Sequence, residues 1–161
     1  MDTALKESLQ SHYAHHSAGA RSVHWRLFLR PLAEQIDAVA GVTARDDLLR
    51  RVGRGMAALL PLPPARTLGA LEMEMNDALA ESGWGSVRLL LDEEARTLRI
   101  VHVGLPRIGS AGTPPGTWLS CLLEGLYTAW MAAQPGSDPN LAAKIQQLSA
   151  GDTIVLAYKQ H

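Results

Sequence analysis

Residues Gly109–Gly136, GSAGTPPGTWLSCLLEGLYTAWMAAQPG, hold one strongly apolar helix between a Gly/Pro loop and a Pro-Gly turn. Thr117 follows Pro114, Pro115 and Gly116, so its hydroxyl is placed to take a free amide of the first helical turn as an N-cap. Trp118, Leu122, Leu126 and Trp130 recur every four residues, with Leu119, Leu123 and Tyr127 as the adjacent row. The stripe is wider than a small domain exposes, and only Glu124 is charged between Thr117 and Ala133. Such a helix must be buried inside its own fold or against a second copy.

The rest of the chain sets the frame for that burial. Its 161 residues suit one domain with a single core. Charged residues make up 19%, against about a quarter in ordinary soluble domains, which favours self-association. The net charge of -1 gives no electrostatic case for nucleic acid or an anionic membrane. With Cys121 as the lone cysteine there is no intramolecular disulfide. Residues 1–20 lack the apolar core of a secretory signal, and the expected location is the cytoplasm.

Residues 1–21 read as a flexible polar N-terminal arm and residues 22–161 as a single domain. Val23, Leu27, Leu29, Leu32, Ile36 and Val39 fall near one helical face, interrupted by Pro31 and closed by Gly41. Thr43 with Asp46 approximates a capping box for a second helix, with Leu48, Val52, Met56 and Leu60 as its apolar face. Thr67 caps a third helix, with Leu68, Leu71, Met75, Ala78 and Leu79 inside and Gly83 as its stop. Ser86–Leu91 and Thr97–Val103 read as an antiparallel hairpin. Asp138-Pro139 predicts a further helix with Leu141, Ile145 and Leu148 as core positions, followed by a strand over Thr153–Tyr158. The fold class is α+β, a mostly helical single domain around a small antiparallel sheet.

No catalytic grammar accompanies this pattern. His12, His15 and His16 have a spacing that could ligate a metal on a helix, but no carboxylate or cysteine supports it, and a solvated arm is the reading. Cys121 has no adjacent base and reads as a packing thiol. Asp92, Glu93 and Glu94 lie at the hairpin turn, where charge is ordinarily solvated. Gly53 and Gly55, in Val52-Gly53-Arg54-Gly55-Met56, lack the context of a nucleotide fingerprint. Each costs a helix about 1 kcal/mol relative to alanine, and close approach of a second backbone is the return expected. Trp84, Trp118 and Trp130 fall at core or element-end positions; Trp25, beside His24 and near Arg21, lies where its ring can stay accessible, with packing and contact to a ligand or partner as the two readings.

Several blocks resemble the D subunit of bacterial cellulose synthase (the BcsD family): Asp47-Leu48-Leu49-Arg50-Arg51-Val52-Gly53-Arg54-Gly55-Met56-Ala57, Ser82-Gly83-Trp84-Gly85, and Arg99-Ile100-Val101-His102. The most specific is Gly109-Ser110-Ala111-Gly112 through Gly116-Thr117-Trp118-Leu119 and Leu123-Glu124-Gly125-Leu126-Tyr127 to Gln134-Pro135-Gly136. The resemblance implies a non-catalytic accessory protein without cofactor, assembled as a ring-like homo-octamer, a tetramer of dimers. It also implies passages for nascent β-1,4-glucan chains, ordered crystallisation and export, and work beside the membrane-bound synthase complex with a proline-rich scaffold protein as a further partner. The implied place is the cytoplasm near the inner membrane, with the periplasm as the alternative. By position, the implied passage lies near Ala20, Arg21, Ser22, His24 and Trp25, whereas Gly53, Gly55, Trp118, Leu122, Leu126 and Trp130 are expected at packing surfaces or interfaces.

A second function class is a small-molecule sensor, since the order of elements is also similar to that of vinyl-reductase-like ligand-binding domains. That class requires a closed apolar cavity between the Trp118–Trp130 helix and the hairpin.

Overall fold

The computed structural model describes the backbone of residues 3–149 and 152–160, and the side chains of residues 27–149 and 152–160. Along the chain run α1 (Thr3–Leu59), α2 (Leu68–Ser82), β1 (Ser86–Asp92), β2 (Thr97–Val103), α3 (Ser120–Ala132), β3 (Leu141–Leu148) and β4 (Thr153–Gln160). The strands form one antiparallel sheet in the order β1-β2-β4-β3, so the class is α+β. Val87, Leu89, Leu98, Ile100, Ile154 and Leu156 alternate onto its buried face, where α3 contributes Leu122, Leu123, Leu126, Tyr127 and Trp130. The apolar helix is therefore buried inside its own chain. Among the described residues no helix is long and apolar enough to cross a membrane.

Several local expectations hold. Thr67 Oγ1 accepts the Ala70 amide at 3.1 Å, and Gly83 closes α2 in the left-handed region at φ 70°. The hairpin pairs Ser86 with Val103 through Asp92 with Thr97.

The backbone of residues 3–21 runs as part of α1, with no boundary at residue 22. Other expectations are corrected. Pro31 lies inside α1, and the residue that leaves helical geometry is Gly41 (φ 78°, ψ 168°), a conformation only glycine adopts without strain. In the second half of α1 the buried line is Arg45, Leu49, Gly53 and Ala57, while Leu48 and Val52 of the expected face are exposed. The wider apolar stripe loses here to the line through Gly53, whose missing side chain lets α3 approach. Thr117 does not cap α3: its hydroxyl donates to the Pro114 carbonyl, and the helix begins at Ser120 behind Leu119.

The largest correction is β3, expected as a helix. Asp138 Oδ1 accepts the Asn140 amide at 2.8 Å and the Asp138 carbonyl accepts that of Leu141 at 3.1 Å, so Asp-Pro opens a turn. Leu141 and Ile145, four apart, satisfy strand alternation as well as helical spacing. The β4 edge and two acceptors from α3 decide between them.

Those acceptors belong to a wider pattern, because helical side chains cover both outer strands. At the β3 edge, Ala143 N donates to Thr128 Oγ1 and Ile145 N to Glu124 Oε1, each at 2.9 Å. At the β1 edge, Asn76 accepts from Val87 N at 2.8 Å and donates to Val87 O at 3.0 Å, while Leu89 N donates to Glu72 Oε2 at 2.6 Å. Open edges template aggregation, and these contacts occupy the groups that would do so. Asn76→Ala leaves both polar groups of the buried Val87 without a partner, and a stability loss of about 2 kcal/mol is expected. The urea midpoint checks this, with light scattering to detect strand-edge association.

Candidate functional site

Two glycines bring α1 and α3 into backbone contact. A Cβ on Gly53 would overlap the Leu122 carbonyl oxygen and lie 2.8 Å from the Leu126 amide nitrogen. A Cβ on Gly125 would overlap the Arg50 carbonyl oxygen. A Cβ on Gly55 would meet nothing within 4 Å, so within one chain Gly55 has no part in this crossing. Leu122 and Leu126 are buried on either side of it. Trp118 and Trp130 are buried too, donating to the carbonyls of Ile108 at 2.9 Å and Leu60 at 2.8 Å. The second of these satisfies a carbonyl at the C-terminal end of α1. Neither ring offers a face to a sugar.

One carboxylate ties the crossing to the sheet. Glu124, 8% exposed at its side chain, accepts from Arg50 Nε through Oε2 and from the Ile145 amide through Oε1. Burial works against the Arg50 charge, but the hydrogen bond and attraction of Glu124 outweigh it and its pKa is raised.

A second clamp spans the Gly41 break. Arg45, 5% exposed, donates from Nη1 to both Asp37 carboxylate oxygens at 2.9 and 3.0 Å, and from Nη2 and Nε to Asp46 Oδ1 at 2.8 and 2.9 Å. Residues eight apart in a straight helix are about 12 Å apart along its axis, so this pair depends on the break. Burial opposes the Arg45 charge, yet Asp46 and then Asp37 raise its pKa. Beside the clamp lies a half-open groove of about 310 Å³, to which Thr113, Thr117, Ser120 and Cys121 contribute polar atoms. Burial first, then the Asp46 and Glu124 carboxylates, push the Cys121 thiol up to about 11, so it is protonated at neutral pH.

The gap between α3 and the hairpin is bridged by His102 and Tyr127. His102 Nδ1 and the Tyr127 hydroxyl are 2.8 Å apart, both residues have no exposed surface, and Tyr127 packs edge-on to Trp130 at 5.9 Å. These contacts occupy the position where a sensor would need its ligand. Burial holds His102 down to about 4, offset in part by the Trp84 backbone, against 6.5 in the unfolded chain. The unfolded chain therefore takes up the proton first. Stability is fully present above pH 6.5 and falls as the pH drops towards 4, by roughly 3 kcal/mol from this residue. Urea titrations between pH 7 and pH 4 are expected to show that loss, and His102→Gln to flatten it.

The candidate passage residues Ala20, Arg21, Ser22, His24 and Trp25 fall on the α1 backbone, N-terminal to the Gly41 break. Their side chains lie outside the described residues, as do those of His12, His15 and His16. Among the described residues no cluster of three or more His, Cys, Asp or Glu side chains could hold a metal. Asp92, in the hairpin turn, is bound to Arg99 at 2.9 Å and to the Ala95 amide at 3.0 Å. The Arg45 clamp and Gly125 escaped the sequence reading. Gly125 was open to the same argument as Gly53, a glycine inside a helix that costs stability unless a backbone needs its space.

Over residues 10–159 the chain matches the family model for the D subunit of cellulose synthase. It is 50% identical over 111 residues to "Cellulose synthase operon protein D" of Komagataeibacter xylinus, covering 69% of this chain and 71% of that protein. The protein of the same description from Komagataeibacter sucrofermentans matches with the same identity and coverage.

Proposed function

The chain belongs to the family of cellulose synthase D subunits, and on that premise we propose that it is a non-catalytic accessory protein that guides nascent β-1,4-glucan chains as cellulose is made. The family match, which spans nearly the whole fold, carries this reading. The chemistry of the interior supports it: Glu124, Arg50, Arg45 and Asn76 are committed to joining elements, and the Cys121 thiol is protonated.

The working form is a homo-octamer, a tetramer of dimers, which orders glucan chains for crystallisation and export. Leu48, Val52 and Leu59 share the outer face of α1 with 46%, 44% and 83% exposure, an apolar ridge suited to burial in such an assembly. The passage is lined by the segment around Ala20–Trp25, and the assembly works beside the membrane-bound synthase with a proline-rich scaffold, on the cytoplasmic face of the inner membrane. A neutral polymer needs hydroxyl-partnering groups and weak contacts, since tight binding would stall it.

Light scattering tests the assembly, and a stable monomer overturns the octamer. Deleting residues 1–21 is expected to leave the particle intact while altering cellulose organisation in cells. Loss of soluble protein on that deletion would make the arm a structural element instead. Fractionation of cells decides between the cytoplasmic face and the periplasm.

A further inference from the structure

The face of the sheet turned away from α2 and α3 carries a half-open groove of about 320 Å³ across β2, β4 and β3. Its floor is apolar and shallow, made by Val155 and by Ala157, which is only 5% exposed although it points to the outer face. Arg99 on β2 stands directly across from Ala157.

The opposite wall owes its chemistry to an irregularity. In regular pairing, consecutive residues point to opposite faces of a sheet. Between Ile145 and Gln147 the register of β3 against β4 slips: Ile145 faces Leu156 and Gln147 faces Val155, so one extra residue is accommodated. This β-bulge leaves both Gln146 and Gln147 exposed and lining the groove. Lys144 is the β3 residue directly across Ala157 from Arg99. The two carboxamides lie diagonally from Arg99, two strands away and two residues further along β4, about 12 Å, with Lys159 also lining the groove.

We propose that this groove is a glucan-binding face, separate from the N-terminal arm, which seats one β-linked chain with its flat C–H ring surface on Val155 and Ala157 and its equatorial hydroxyls on the Gln146–Gln147 pair and Arg99. It rests on the reading of the protein as a glucan guide. Each carboxamide offers both a donor and an acceptor, as each hydroxyl does, so one glutamine can engage a pair of neighbouring hydroxyls. An anionic ligand fits less well. Asp92 already neutralises Arg99 at 2.9 Å, and Glu93 and Glu94 follow in the adjoining turn.

Hydrogen exchange of the full-length assembly, followed by mass spectrometry with and without cellohexaose, tests this. Cellohexaose is expected to slow exchange in peptides covering residues 144–148 and 155–159. The double variant Gln146→Ala/Gln147→Ala is expected to require at least fivefold more cellohexaose for the same protection there, with protection of residues 20–25 unchanged. Both glutamines are exposed, so the variant is expected to fold; its melting curve checks that. Protection of the arm without the sheet overturns the proposed face and leaves the guiding reading standing; protection of neither overturns both. Equal protection by maltohexaose, whose linkages are α, overturns the selectivity for a flat β-linked chain. Slow exchange at this face without ligand, lost on dilution to protomers, makes it a contact between copies and overturns the proposal.

Discussion

Gly53→Leu is expected to abolish soluble, folded protein. The first atom of any side chain at this position already overlaps the Leu122 carbonyl oxygen, and both partners are helix backbone. Rotamer changes cannot relieve that overlap; α1 and α3 must move apart, which opens the junction where Trp118, Leu122, Leu126 and Trp130 are buried. Overpacking with extra methylenes typically costs 1–3 kcal/mol when side chains can yield, and here they cannot. A total stability of about 5–15 kcal/mol leaves little margin. Gly53→Ala gives the graded form: a loss of about 3 kcal/mol, or roughly 6–12 °C in melting temperature for a chain of this size. Gly55→Ala, at a position where a Cβ meets nothing within 4 Å of the same chain, is the control. It is expected to leave the thermal melt by circular dichroism unchanged or slightly raised. A Gly53→Ala melt that matches Gly55→Ala would overturn the backbone-contact account.

Glu124→Leu is expected to lower stability by about 2–3 kcal/mol, from the loss of a charge-assisted hydrogen bond and of the acceptor for a strand-edge amide. The substitution suits the apolar character of α3 and is wrong for its surroundings. It removes the partner of Arg50 Nε, leaving that guanidinium, 28% exposed at its side chain, with Asp47 alone at 2.8 Å, and it leaves the outward amide of Ile145 without an acceptor at the edge of β3. Glu124→Gln keeps an acceptor for one of the two and is expected to lose less than half as much. Chemical denaturation checks the order wild type, Gln, Leu. A Leu variant as stable as wild type would mean that β3 does not depend on this carboxylate.

The residues behind these predictions also mark how far the sequence could be read. Four-residue spacing and low polarity declared α3 buried, and glycine inside a helix declared a close crossing at Gly53. Local chemistry sufficed at Thr67, Gly83 and the β1–β2 hairpin, because a cap or turn is satisfied by atoms a few residues away. It failed at Thr117, where the hydroxyl found the Pro114 carbonyl, and at Asp138, whose turn serves a strand as readily as a helix. The candidate passage around Ala20–Trp25 rests on the family resemblance and on the position of Trp25 at the end of the polar arm, and its side chains lie outside the described residues. Gln146 and Gln147 carried no signal as a pair, because their shared orientation comes from a register slip between strands.

By itself, then, the sequence determined the α+β class, the buried apolar helix, the hairpin and the family. All of these rest on patterns of hydrophobicity and local backbone chemistry along a continuous stretch. The tertiary structure alone decided that residues 141–148 are a strand, that Gly41 rather than Pro31 breaks α1, and which line of α1 is buried. Each of these turns on a partner distant in sequence or across a break: the β4 edge with Glu124 and Thr128 for the strand, Asp37 meeting Arg45 around Gly41, and, at the crossing, Gly125 of α3 against Arg50 with Gly53 of α1 against Leu122 and Leu126. Helix and strand were nearly balanced in local preference at residues 141–148, and backbone hydrogen bonds completed from outside the segment settled the balance.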